Sequence, residues 1–387
     1  MLLYNISRTR YSKMPSICIL TTVHNPFDSR VFYKEARSLA RAGYQVTLLG
    51  QGAPDQEIDG VRLKPLPPRP PAHQAWRRWF RLLGVWQRAR QEKADVYLIH
   101  DPELTLVGLL LKFGGQRVVY DVHEHVPFQI LDKDWIPRRV RPVIAWLYDH
   151  YERIVAARFD AVIVAFEQIA DRFPRARPVV IRNVPDLDLW TPAHPSEPDA
   201  EDKLIAVYSG VAQWDRCILE LVQAADYIDP ALNVEIWIVG RFAVPEYEAQ
   251  VRAAAGDRVR IWGYVPHHDI PALLAQTHMG LMSLRPQLNS SVNWPIKLFE
   301  YMAAGLPMVM TANPFWFDLA DGCAVQVNIE DPRDIARGIT ELARDPARRA
   351  KMGAQARQHV IQNYHWADQE RELIALFTRL IGLPMKG

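Results

Sequence analysis

The 387-residue chain reads as an α/β protein built from two doubly wound domains. Three observations carry that reading. Short apolar runs occur in two series, helical patterns lie between most of the runs, and a stretch rich in Pro, Asp and Glu separates the series. Short continuous apolar runs alternating with helices belong to parallel strands covered on both faces. One such series makes one doubly wound sheet, so two series make two domains.

The first series is ICILTT (17–22), VTLLG (46–50), VYLIH (96–100), VVYDV (118–122), AVIVA (161–165) and VVIRN (179–183). The second is IAVYSG (205–210), VEIWIVG (234–240), VRIWG (259–263), MGLMSL (279–284), PMVMT (307–311) and AVQV (324–327). Val184 to Lys203 reads as the linker between them. Helical spacing covers 31–43, 76–90, 136–153, 332–352 and 366–381. Residues 1–14 contain no signal-peptide core and read as a disordered leader, with Met14 a candidate start. The expected division is therefore 15–184, 204–365 and a closing helical segment, 366–387. No run of eighteen apolar residues exists to span a membrane, and no internal repeat of solenoid period is found.

About half the residues are hydrophobic, ample for large cores. Cys18, Cys217 and Cys323 are far apart, without metal or disulfide spacing, which fits a reducing cytoplasm. Net charge is +2 overall but unevenly spread: 28 Lys+Arg against 18 Asp+Glu in residues 1–183, and 18 against 26 beyond. A basic first half suggests that it faces something anionic, such as a membrane surface or nucleic acid. Two domains that simply differ in surface charge explain it equally well.

The most informative stretch is Asn293-Trp294-Pro295-Ile296-Lys297-Leu298-Phe299-Glu300, running on to Gly305-Leu306-Pro307. Asn293 is a good N-cap, Pro295 suits a first turn, and Gly305 with Pro307 ends the helix before a strand. Lys297 and Glu300 share one helix face. Lysine beside a helix N-terminus attracts phosphate, and a carboxylate one turn on accepts hydrogen bonds from sugar hydroxyls. Spacing alone also fits an ordinary Lys–Glu pair in solvent.

Other polar groups gather where strands end. His100-Asp101-Pro102-Glu103 closes one apolar run, and Asp121-Val122-His123-Glu124-His125 closes the next. Carboxyl ends of parallel strands are where such sheets bind ligands. The first strand leads into His24, Asp28 and Arg30, with Asp28 or Ser29 able to cap the following helix. In the second half, Gly210 lets backbone N–H groups approach an anion. Arg216 follows it at a helix start, an end that disfavours cations unless an anion is there. Residues 65–75 are proline-rich. After them Trp76, Trp79, Phe80 and Trp86 recur at helical spacing among Arg77, Arg78, Arg81 and Arg88, which fits a helix lying on a membrane surface or one packing its tryptophans on the sheet. Ile136 to Arg153 is a second basic amphipathic segment that would extend the same surface.

The segment PIKLFEYMAAGLPMV closely resembles the donor-nucleotide segment of glycosyltransferase family 4, and the likeness extends over almost the whole chain, weakest at 51–93. The resemblance implies the GT-B fold: two Rossmann-like domains facing across a cleft, with the last helix crossing back to the first domain after Asn363-Tyr364-His365-Trp366. It implies transfer of a sugar, with retention, from a nucleotide diphosphate donor; the basic first half and the aromatic helix add the expectation of a lipid-linked or polysaccharide acceptor. It places His123 near the donor sugar, with Glu124 and Asp101 as further catalytic candidates. It puts Arg216 and Lys297 on the diphosphate, Gly210, Arg241, Tyr264 and Val265 in donor-binding turns, and Glu300 on the ribose.

Two departures stand out. Many members carry a further glutamate seven residues before theirs at the Glu300 position; here position 292 is valine, and Asn289, Ser290 or Asn293 are candidates to replace it. The usual Gly-rich loop after the first strand is absent. The chain looks instead like a subgroup whose loop carries His24, Asp28 and Arg30, candidate acceptor or phosphate contacts. Neither a metal nor another cofactor is expected, nor nucleic acid as a partner. The expected place of work is the cytoplasmic face of an anionic membrane. A non-catalytic GT-B nucleotide-sugar module and a nucleotide-sugar epimerase are the alternatives.

Overall fold

The computed structural model describes residues 14–68, 77–133, 135–190, 203–286 and 293–382, without the side chains of 77–79. The leader through Lys13, Trp76, the Trp79 side chain, Asn289, Ser290 and Val292 lie outside the described residues. The chain forms two compact units, one of residues 1–183 with 366–387, the other of residues 184–365.

The first unit holds eight strands: β1 (Ser16–Thr21), β2 (Gln45–Gly50), β3 (Gln56–Ile58), β4 (Val61–Pro65), β5 (Val96–Ile99), β6 (Arg117–Val122), β7 (Ala161–Val164) and β8 (Val179–Val180). Their order is β3-β4-β2-β1-β5-β6-β7-β8, parallel throughout except for β3 against β4. The antiparallel β3–β4 hairpin at the edge is the element that the apolar pattern misses. Gln56-Glu57-Ile58 and Val61-Arg62-Leu63-Lys64 are too polar to read as buried runs, and charge of this kind is what protects an edge.

The closing helix Trp366–Ile381 packs on this first unit. Leu373, Leu376 and Phe377 join its core, the Trp366 indole donates to Ser38 Oγ at 3.0 Å, and Gln369 Oε1 accepts from the Arg182 amide at 2.8 Å.

The second unit has six parallel strands: β9 (Leu204–Ser209), β10 (Val234–Val239), β11 (Val259–Gly263), β12 (Met279–Met282), β13 (Met308–Thr311) and β14 (Ala324–Val327), in the order β11-β10-β9-β12-β13-β14. The start of the expected linker is not a loose connector. Leu187 and Trp190 are buried in this unit's core, and the Trp190 carbonyl accepts from Arg357 Nη2 at 3.0 Å. The single helix expected over 332–352 is two, Pro332–Arg344 and Pro346–Asn363. Asp345 breaks it by capping the second, accepting from the Arg348 amide at 2.9 Å, and Pro346 occupies its first position.

Candidate functional site

In the second unit the polar groups collect where β9, β10 and β11 end. Gly210 and Gly240 both sit at φ +142°, and a Cβ on Gly240 would lie 1.8 Å from the Gly210 carbonyl oxygen. Only glycine permits these two turns to stack so closely. Gly240 N–H donates to the Gly263 carbonyl at 2.7 Å, and Gly210 N–H to that of Val239 at 2.8 Å.

Lys297 comes to this place from helix Ile296–Ala303. A Cβ on Gly210 would lie 2.8 Å from its Nζ, which stands 4.0 Å from the centre of the Tyr208 ring. Burial, and then the charge of Arg216, push the ammonium well below its ordinary pKa, although Glu300 supports the charge. Two cations held near one another beside glycine turns make a site for a polyanion. Glu300 is buried on the same helix.

The helix begins otherwise than expected. Pro295 is the N-cap residue and no side chain caps the helix, while the Asn293 carbonyl accepts from the Trp316 indole at 3.1 Å. Arg241 is exposed and its carbonyl accepts from the Ala212 amide; Tyr264 is exposed, and Val265 packs on the core. Two residues that carry no sequence signal complete the frame. Arg285 ties down the Arg216 loop, its amide donating to the Asp215 carbonyl at 2.7 Å while its guanidinium pairs with Glu220 and Glu330. Tyr301 accepts from the Ser209 amide at 2.9 Å, and its ring fills the space that a Cβ on Gly280 would need.

In the first unit the residues after β1, β5 and β6 converge. Arg30 and Glu35 lie at the two ends of one π-helical turn, where the Glu35 amide donates to the Arg30 carbonyl at 2.9 Å. That wide turn aligns side chains five apart, and Arg30 Nε stands 2.9 Å from Glu35 Oε1. Arg30 does not face outward as an acceptor contact. It is 2% exposed, forks onto both oxygens of Asp121 at 2.8 and 2.9 Å, and donates to the Ile181 carbonyl at 2.8 Å. Asp121 is wholly buried; burial opposes its charge, but Arg30 and His123 hold it well below the usual carboxylate range. Burial and neighbouring Asp121 drive Glu35 the other way, well above that range.

Asp101 is likewise a holder of backbone, not an exposed acid. Its Oδ2 accepts from the amides of Thr22 (2.5 Å) and Val23 (3.2 Å) and from the hydroxyls of Thr21 and Thr22 (both 3.1 Å), while Oδ1 lies 3.4 Å from His24 Nε2. Asp28 accepts from the amides of Arg30 (2.8 Å) and Val31 (3.1 Å), satisfying the start of the helix. Burial would raise its pKa, but His24 and those amides hold it lower. His123 is mostly buried, with Nε2 2.8 Å from Asp121 Oδ2, and burial brings its pKa down to about 4 against the pull of Asp121. Glu124 is exposed and bonds Gln129.

His100 Nδ1, Asp121 Oδ2 and His123 Nε2 form the one group of metal-ligand type among the described residues. Sequence spacing does not reveal it. Arg30 already supplies positive charge to the same carboxylate.

The expected membrane helix, Arg77–Glu92, buries Leu82, Val85 and Ala89. Phe80 is exposed, whereas Trp86 is half-buried beneath Arg90, whose guanidinium lies 4.9 Å from the ring centre. A larger apolar surface lies on helix Arg141–Ala156. Val143, Ile144, Trp146, Leu147 and Ile154 are exposed, as are Trp135 and Val140 just before it. Its buried face carries Glu152, which accepts from Tyr120, Tyr148 and Arg172 at 2.8, 3.1 and 2.6 Å. No helix among the described residues is long and apolar enough to cross a membrane.

Residues 29–185 match the family model of the glycosyl transferase 4-like domain, and residues 218–375 that of the glycosyl transferase-like domain. Among solved structures, sucrose-phosphate synthase from Thermosynechococcus elongatus superposes with a TM-score of 0.75 at 17% identity, covering 95% of this chain and 99% of that one. Anabaena HepE in complex with UDP-glucose gives 0.68 at 16% identity, covering 94% and 99%. WaaG, a glycosyltransferase involved in lipopolysaccharide biosynthesis, gives 0.68 at 14% identity, covering 93% and 99%. At these identities the likeness is one of fold. No curated protein sequence matches. Two family models that between them take in most of both units, on a fold shared with these structures, show that the chain belongs to the GT-B glycosyltransferases of the family 4 type.

Proposed function

We propose that this glycosyltransferase works at an anionic membrane surface, moving sugar from a nucleotide diphosphate donor to a lipid-linked or growing polysaccharide acceptor. The observation that carries the membrane reading is the outward face of helix Arg141–Ala156. Val143, Trp146, Leu147 and Ile154 recur at helical spacing and are all exposed, with Val140 one turn before and exposed Arg138, Arg139 and Arg153 around them. The buried face of the helix carries only small apolar groups, Ala145, Val155 and Ala156, around Glu152, while its larger apolar side chains are outside. Aromatic and aliphatic groups rimmed by arginine suit the headgroup region of a bilayer. The basic excess of the first half adds attraction of about 1 kcal/mol per residue near an anionic leaflet, weakened by salt.

On the donor side, Lys297, Arg216 and the helix beginning at Ile296 would stabilise the leaving diphosphate as the glycosidic bond breaks. An acceptor hydroxyl would attack from the face the diphosphate leaves, so the product retains the anomeric configuration. Phosphate charge is met by protein cations, and no divalent metal is required. UDP-glucose, the ligand of HepE, is the first donor to test.

Co-sedimentation with anionic liposomes tests the membrane reading, comparing the wild type with a Val143→Ser, Trp146→Ser, Leu147→Ser variant. The wild type is expected to pellet at low salt and partly release at high salt, and the variant to stay in solution. Equal behaviour of the two, or a wild type that ignores the liposomes, would overturn the reading. A wild type that self-associates without binding lipid would assign the face to a second copy.

A further inference from the structure

His123 stands against a carboxylate that Arg30 already clamps through both oxygens. Asp121 Oδ1 accepts from Arg30 Nη2 at 2.9 Å, and Oδ2 accepts from Arg30 Nε at 2.8 Å. His123 Nε2 lies 2.8 Å from Oδ2, and His100 Nδ1 3.3 Å from the same oxygen. An ionised carboxylate only accepts, so a ring nitrogen held against it must carry hydrogen. The two ring nitrogens are also 2.9 Å apart. A contact in which His100 donated to a bare His123 Nε2 would turn that lone pair on Asp121 as well, so the carboxylate decides the matter: the proton of His123 is on Nε2.

The rest of the cluster agrees. His100 Nε2 lies 3.4 Å from Glu35 Oε2, and burial, with Asp121 beside it, pushes the Glu35 carboxyl well above the usual range. Of the two buried acids, Asp121 is the one whose two oxygens Arg30 forks. That leaves His123 Nδ1, on a ring 15% exposed, with no hydrogen-bond partner among the described residues.

We propose that Asp121, clamped by Arg30, is the positioning residue that fixes His123 in its Nε2–H tautomer, so that His123 presents Nδ1 to a sugar substrate as a hydrogen-bond acceptor. The histidine is then a recognition group for a substrate hydroxyl and not a proton donor. Arg30 and His100 acquire a common purpose, keeping one carboxylate ionised and aimed. Arg30 also disfavours a metal at the His100–Asp121–His123 trio, because a cation bound there would share Oδ2 with a guanidinium. This inference rests on the chain being a glycosyltransferase of this fold and is independent of the membrane reading.

Long-range 1H–15N correlation spectra of the full chain, labelled with 15N-histidine, test it directly. His123 is assigned by the signal lost in His123→Gln. At neutral pH the wild type should show a protonated Nε2 and a bare Nδ1, with the Nε2 proton far downfield and slow to exchange, as a bond to a buried carboxylate requires. Asp121→Asn should convert this into a mixture of tautomers. An Nδ1–H tautomer in the wild type, a proton without the downfield shift, or displacement of that proton by added Zn2+ would overturn the proposal. So would an Asp121→Asn protein that folds and keeps the wild-type tautomer. If that variant fails to fold, the wild-type proton alone decides.

Discussion

Replacing Lys297 by alanine should separate stability from ligand affinity. In the free protein the ammonium is disfavoured first by burial and then by Arg216, so its charged form is carried at a cost. Alanine removes that cost and also the contact of Nζ with the Tyr208 ring, worth about 0.5–2 kcal/mol. The two effects oppose each other, and the melting temperature should move by no more than about 4 °C. Between its depressed pKa and its ordinary value the unfolded chain holds the lysine proton and the folded chain does not. Wild-type stability therefore rises with pH through that window relative to the variant.

Under the proposed function the same lysine would make a charge-assisted bond of about 1.5–3 kcal/mol to the nucleotide diphosphate. Its loss should weaken binding about 10- to 150-fold. Titration calorimetry with UDP, GDP and dTDP, paired with thermal melts, measures both quantities. Unchanged affinity for whichever nucleotide the wild type binds would refute the assignment, and collapse of the fold would show the lysine to be structural.

Glu300→Ala should weaken the same nucleotide by about 1–3 kcal/mol in the same calorimetry. Gly240→Ala should cost at least about 3 kcal/mol or prevent folding, because its Cβ meets the Gly210 carbonyl at 1.8 Å; Gly256→Ala, in open space, is the neutral control in urea melts. Glycosyl transfer should be unaffected by EDTA, and full loss restored by Mg2+ or Mn2+ would contradict the metal-free reading.

Eleven of the twelve apolar runs are strands to within two residues of their expected ends, because buried parallel strands advertise themselves as apolar runs. VVIRN shortens to Val179–Val180, as Ile181, Arg182 and Asn183 leave the sheet to meet Arg30, Gln369 and Lys34. Polar edges are less legible, and so β3 and β4 escape notice. The Lys297 and Glu300 positions are legible because helix punctuation surrounds them. Arg30 is not, because its partner Asp121 is 91 positions away and nothing local distinguishes a buried guanidinium from a solvated one. The same distance hides Arg285, which reaches Glu220 and Glu330 from 65 and 45 positions away. For the segment 136–153 the periodicity is plain, but periodicity does not say which face is buried. A buried Glu152 needs Arg172, Tyr120 and Tyr148, and only the fold brings them together.

The central claim is that the glycine turns, Lys297 and Arg216 of the second unit hold the leaving diphosphate during sugar transfer. Nucleotide release from a panel of UDP-, GDP- and dTDP-sugars, measured for the wild type and for a Lys297→Ala, Arg216→Ala double variant, tests it most directly. The account predicts that the wild type releases nucleotide from at least one of these sugars and that the folded double variant does not. Release that survives in the double variant, or donor binding by the wild type with no release even when lipid acceptors are supplied, would contradict it.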